Sequence, residues 1–170
     1  MQAKDFLSDH HVVAGLYPVA DAFAGGVDTD VISLRDYRRL SFLIMTGAIE
    51  DANISNLCTP YACTDASKSN PTAIAFHSRR CLSSTTVDTW AALTSRTSSG
   101  HNFATASGGA VANNMWFLEV LAEDVAAAYA NANFCYLTIA ETANKTITAA
   151  CIAILSEPRY PGAVPQTAIA

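Results

Sequence analysis

The residue types that could do chemistry are all present, but their spacing does not assemble a reaction centre. Cys58 and Cys63 are the one close cysteine pair; the four residues between them are wide for half of a zinc site, and no second half-site follows. His10 and His11 are adjacent, and neighbouring side chains on a strand point to opposite faces, so they read as packing or surface histidines rather than ligands of one ion. Ser107 precedes Gly108-Gly109 without the G-x-S-x-G elbow of a hydrolase. Acid–base catalysis needs two carboxylates facing one pocket, whereas Glu50-Asp51 and Glu123-Asp124 are adjacent pairs in turn or cap contexts. Asp28, Asp30 and Asp36 lack the glycine and the later Glu of a calcium loop. Gly25-Gly26 is not followed by the Lys-Ser/Thr of a phosphate loop. The expectation is a chain with no catalytic, cofactor-binding or metal-binding residues, and hence no enzyme.

The composition points the same way. Of 170 residues, 51% are hydrophobic and only 15% charged, against about 25% charged in an ordinary soluble domain. A surface this poorly hydrated is expected to be buried against other chains. A net charge of -5 argues against nucleic acid and against an anionic membrane as partners. The cations gather only at Arg35, Arg38 and Arg39 and at Arg79-Arg80, groups small enough to be solvated faces or intersubunit ion pairs. No apolar stretch reaches the roughly 20 residues of a membrane span. The opening MQAKDFLSDHH has no basic start followed by an apolar run, so no signal peptide is expected. The 5 cysteines are odd in number and irregular in spacing, which is no disulfide framework, and Cys135 and Cys151 sit in apolar runs as small core residues.

The elements expected to position these residues are strands. Leu40 to Met45 is an apolar run that suits a buried strand, with a short buried helix as the alternative that periodicity leaves open. Ile54 to Cys63 is a weaker strand, and its Pro60 suggests an edge or a bulge. Ala73 to Arg79 alternates, with Ile74 and Phe76 on one face and His77 and Arg79 on the other. Met115 to Leu121 is the strongest strand, with Trp116, Leu118 and Val120 inward, and Phe134 to Ile139 is another. From Thr146 to Leu155, Ile147, Ala149, Cys151, Ala153 and Leu155 share one face, while Ile152 and Ile154 share the other. A strand apolar on both faces is central or lies in an interface. Residues 123–131 are helix or turn. The strand aromatics Phe42, Phe76, Trp116, Phe117, Phe134 and Tyr136 are read as core.

Together these predict a mainly β protein with little helix, an antiparallel β-sandwich or jelly roll. Residues 1–30, punctuated by Gly15, Pro18 and Gly25-Gly26, read as an extended N-terminal arm. Residues 31–155 form a single β-rich domain, and 156–170, with Pro158, Pro161 and Pro165, an extended C-terminal tail. The polar stretch 85–109 carries Trp90, Leu93 and Phe103, and is expected to lie against a partner.

Three segments carry a resemblance. Leu7-Ser8-Asp9-His10-His11 and Pro18 to Gly25 resemble the opening, and Ile154 to Tyr160 with Ala163 to Ile169 the close, of a family of small virion structural proteins of tailed bacteriophages. Met115 to Val120 with Ala122-Glu123-Asp124 is similar to a strand and turn of the same family. The resemblance implies a non-enzymatic virion component, a capsid decoration (cement) protein that binds and stabilises the outer lattice of the major capsid protein. It also implies self-association as a homotrimer and a place on the outer capsid surface, after synthesis in the host cytoplasm. A head–tail connector or tail component is the alternative within that class. A virion-displayed carbohydrate-binding module, using Trp90, Tyr61 and Phe103, is the alternative outside it. The partner-contact residues expected on this reading are Phe23, Trp90, Phe103, Pro158, Arg159, Tyr160 and Pro165.

Overall fold

The computed structural model describes residues 6–49, 55–81, 89–104, 112–141, 146–160 and 168–169. It is mainly β, with two antiparallel sheets packed face to face and two short helices. The strands are β1 (His11–Val19), β2 (Val27–Asp28), β3 (Ile32–Ser33), β4 (Tyr37–Ile49), β5 (Ser55–Cys63), β6 (Thr72–Ala73), β7 (Phe76–Arg80), β8 (Thr94–Arg96), β9 (His101–Ala104), β10 (Met115–Leu121), β11 (Phe134–Glu141) and β12 (Ile147–Pro158). Helix α1 is Phe6–Asp9 and α2 is Ala122–Ala128. Sheet A runs β1-β12-β4-β10-β7-β8; sheet B runs β2-β11-β5-β6, with β3 also on β11 and β9 also on β5.

The alternation written in the sequence becomes the layering. Along β10 every second residue is buried, and Trp116, Leu118 and Val120 face inward. They meet Leu40, Phe42 and Ile44 of β4, in register with them across the ladder. From β12, Ile147, Ala149, Cys151, Ala153 and Leu155 join the same core. Sheet B supplies Cys135, Leu137 and Ile139 of β11 and Cys58 and Ala62 of β5. At roughly 25 cal/mol per Å² of apolar surface removed from water, this interior is the main driving force for folding.

Pro60 sits inside sheet B rather than on its outer edge. Its carbonyl accepts from the Ile74 N–H, so its N–H-less nitrogen faces that same side, where β9 stops and β6 begins. The lost donor therefore falls in a gap between two short partner strands. Gly100 closes the β8–β9 turn at φ +86°, and a Cβ there would lie 2.8 Å from the Cys58 carbonyl oxygen, so only glycine fits. Residues 122–128 resolve the helix-or-turn ambiguity as α2, whose first-turn Glu123 and Asp124 suit the positive end of the helix dipole while Ala122 and Val125 pack inward.

The ends of the chain need correcting against expectation. The stretch read as an arm contains β1, a full edge strand of sheet A paired with β12, followed by Phe23, which is buried in the core. Its glycines and proline disguised it: Gly15 marks a break in register, and its small size lets the backbone approach Cys151 and Thr29. The tail also returns to the fold. Pro158 still pairs with Tyr37, the Arg159 N–H donates to the Asp36 carbonyl, and Ile169 bridges to Ile32 on sheet B with Ala168 buried beside it.

Candidate functional site

The described thiols are held out of reach. The described cysteines, Cys58, Cys63, Cys81, Cys135 and Cys151, are all free and buried. Burial pushes the thiols of Cys58, Cys63 and Cys135 up, and that of Cys151 to about 12, so they stay protonated. His10 stacks on Phe6 at 4.2 Å while His11 meets the edge of Tyr37, so the two rings do diverge. Among the described residues no three His, Cys, Asp or Glu side chains converge on a metal position, and no helix is long and apolar enough to cross a membrane.

The outer face of sheet A carries partly exposed apolar side chains. Strand register lays its residues in rows across five strands. One row is Ala14–Ile152–Leu43–Phe117–Arg79, the next is Val12–Ile154–Ser41–Glu119–His77, and a third is Ala150–Met45–Met115. Ile152, Ile154, Leu43, Phe117 and Met115 are only half-buried; Val12 and Met45 are 42% and 38% exposed. Trp90, tied to Cys81 by a β-bridge, meets the edge of Phe117 at 6.0 Å and shields one end of the face. At another end Arg39 pairs with Glu157 at 2.9 Å and with Glu119 at 3.4 Å. Burial alone would lower its pKa; the hydrogen bond and charge of Glu157, with Glu119, raise it instead and keep the guanidinium charged. A cleft of about 520 Å³ beside this ion pair is lined by Arg38, Arg39, Glu123, Glu157 and Arg159.

The residues expected at contacts fall into three groups. Phe23 and Phe103 are 1% and 2% exposed, so both are core rather than contact residues; an aromatic in a polar stretch marks the inward side of a short strand as readily as a partner site. Pro158 and Arg159 stand at the end of β12, with Tyr160 70% exposed beside them and Trp90 half-buried on the outer face. Pro165 lies outside the described residues. The sequence did not single out Val12, Leu43, Met45 or Phe117 as surface residues. Only the second apolar face of β12, Ile152 and Ile154, signalled this surface. Of the three candidate sugar-binding aromatics, Phe103 is buried and Tyr61 is half-buried in a stack on Tyr136, leaving Trp90 over a shallow cavity with Arg79 and Glu119.

No protein-family model and no curated protein matches the chain. Among solved structures it is similar to the SPBc2 prophage-derived protein YomS, with 11% sequence identity and a TM-score of 0.42 over 88% of this chain and 94% of that one.

Proposed function

We propose that this chain is a non-enzymatic structural protein of a tailed-phage virion, and specifically a capsid decoration protein that docks on the outer lattice of the major capsid protein. The observation that carries the reading is the outer face of sheet A, where apolar side chains of β1, β12, β4 and β10 stand partly exposed and Trp90 shields one end. Contiguous exposed apolar side chains rimmed by polar residues mark interaction sites. The resemblance of both chain ends to virion proteins supports it, and those ends are neighbours here, because β1 and β12 form one ladder. Repetition of a modest contact over a symmetric lattice gives high avidity without a large single site.

Self-association, as a homotrimer with part of this face between copies, belongs to the same reading, as does a role without nucleic acid or membrane. The test is the solution mass of the purified chain together with its copy number in purified particles. A trimer present in hundreds of copies supports decoration; a ring of roughly twelve copies moves the role to a connector or tail part. A monomer absent from particles contradicts a virion role. Trp90 above Phe117 keeps carbohydrate binding as the second reading, and silence of the chain on a glycan array removes it.

A further inference from the structure

The chain concentrates positive charge where sheet A meets the start of β9. A cavity of about 380 Å³ opens there, bordered by Arg79, Arg80, Arg96 and His101, with the buried rings of Phe103 and Trp116 among its walls. Arg80 and Arg96, two of the 10 lysines and arginines of an acidic chain, border this cavity, and no described Asp or Glu does. Arg80 is in register with Trp116 and Arg96 with Phe76, both inward-facing, so the two arginines leave their strands on the inner side of sheet A. The Arg96 Nε–H donates to Ser78 Oγ at 2.8 Å, which fixes the guanidinium. Among the described residues neither Arg80 nor Arg96 has a carboxylate partner. Two cations bordering one space, with no carboxylate beside them, favour an anion there.

We propose that this cavity binds a tetrahedral oxyanion, a phosphate or sulfate group, with Arg80 and Arg96 supplying charge and the His101 ring an additional hydrogen bond. Burial, then the charges of Arg96 and Arg80, hold the His101 pKa down at about 4, so at neutral pH the ring is an uncharged donor. The groups facing it are Arg96 on β8, Arg80 on β7 and Phe103 on its own strand, with Cys58 opposite on β5. Its protonation therefore reports any anion that neutralises the arginines. The space is several times the roughly 30 Å³ share of one water, enough for an oxyanion carrying a sugar-sized group. The inference holds whether or not the chain is a virion part.

The experiment has two arms on the full chain. NMR follows the His101 ring through pH 3 to 7 in sodium sulfate and in sodium chloride of equal ionic strength; sulfate raises the midpoint and chloride does not. Calorimetry at pH 7 compares inorganic phosphate with glucose 6-phosphate: equal binding identifies a free ion, tighter binding of the ester a phosphorylated ligand. Arg80→Gln and Arg96→Gln each weaken binding roughly tenfold, while Arg38→Gln, on another surface, leaves it unchanged. Arg80 is exposed and outside the core, so Arg80→Gln decides the matter if Arg96→Gln, deprived of its Ser78 bond, does not fold. A His101 midpoint that moves equally in chloride, or heats that are unaltered in Arg80→Gln, overturns the proposal.

Discussion

The two sheets treat their outer faces in opposite ways. Sheet B also carries apolar side chains outward: Tyr136 and Tyr61 stack at 5.5 Å, beside Cys63 and Phe134. There the chain covers them itself. The β5–β6 connection folds back, with the Asp65 carboxylate accepting from the Ser67 and Ser69 N–H groups, and sets Lys68 Nζ 4.5 Å from the Tyr136 ring centre. Lys68 also pairs with Asp28, which accepts from Thr138 Oγ1 as well. Cys63 and Tyr136 end up 0% and 6% exposed. On the outer face of sheet A the described residues supply cover at one end, where Trp90 lies against Phe117, and leave Val12 and Met45 exposed. On the proposed reading, the face that the described residues leave open is the one that meets a partner, and the difference separates residues that hold the fold from residues assigned to docking.

That contrast can be broken most forcefully at Tyr136. Tyr136→Ala removes a buried ring together with its stack and its cation contact, and should cost about 3 kcal/mol in urea denaturation. The same ring gives the fold an alkaline limit. Burial, then Asp28, pushes its phenol up to about 12, against an ordinary value near 10. The folded state thus holds the proton more tightly; the stabilisation is complete below pH 10 and is lost as pH rises towards 12. Tyr136→Phe should flatten that part of a stability–pH profile.

Smaller effects follow at the margins. Deleting 159–170 removes the Ala168 contact and the Ser33–Ala168 hydrogen bond, and should cost about 2 kcal/mol by thermal unfolding. A truncation that leaves stability untouched would mean the tail's return to sheet B contributes nothing. Lys68→Ala, at a half-exposed pair, should cost only about 0.5 kcal/mol by the same measurement, since solvent screens it.

Much of this was legible in the chain because alternation survives wherever one face is wet. β10 can be read directly from Trp116, Leu118 and Val120, whereas the single strand expected from Ala73 to Arg79 is divided: β6 ends at Ala73 in sheet B and β7 begins at Phe76 in sheet A. β1 could not, because Gly15 and Pro18 imitate loop punctuation while serving a bulged edge strand. Phe23 and Phe103 misled for a related reason: polar neighbours set the local composition, but tertiary packing sets burial. Beyond Ile152 and Ile154 the open face was not legible, because it is assembled across five strands by register, and pairings between residues more than 100 positions apart, such as Ala14 with Ile152, leave no local pattern.

The most direct test changes the open face alone. Met45→Glu with Val12→Glu places two charges on residues already 38% and 42% exposed, so the unfolding free energy from urea denaturation should change by less than about 0.5 kcal/mol per site. Occupancy of the variant on purified particles, counted against the unaltered chain, should fall to a small fraction. Full occupancy with both charges in place would contradict the claim that sheet A docks through its outer face.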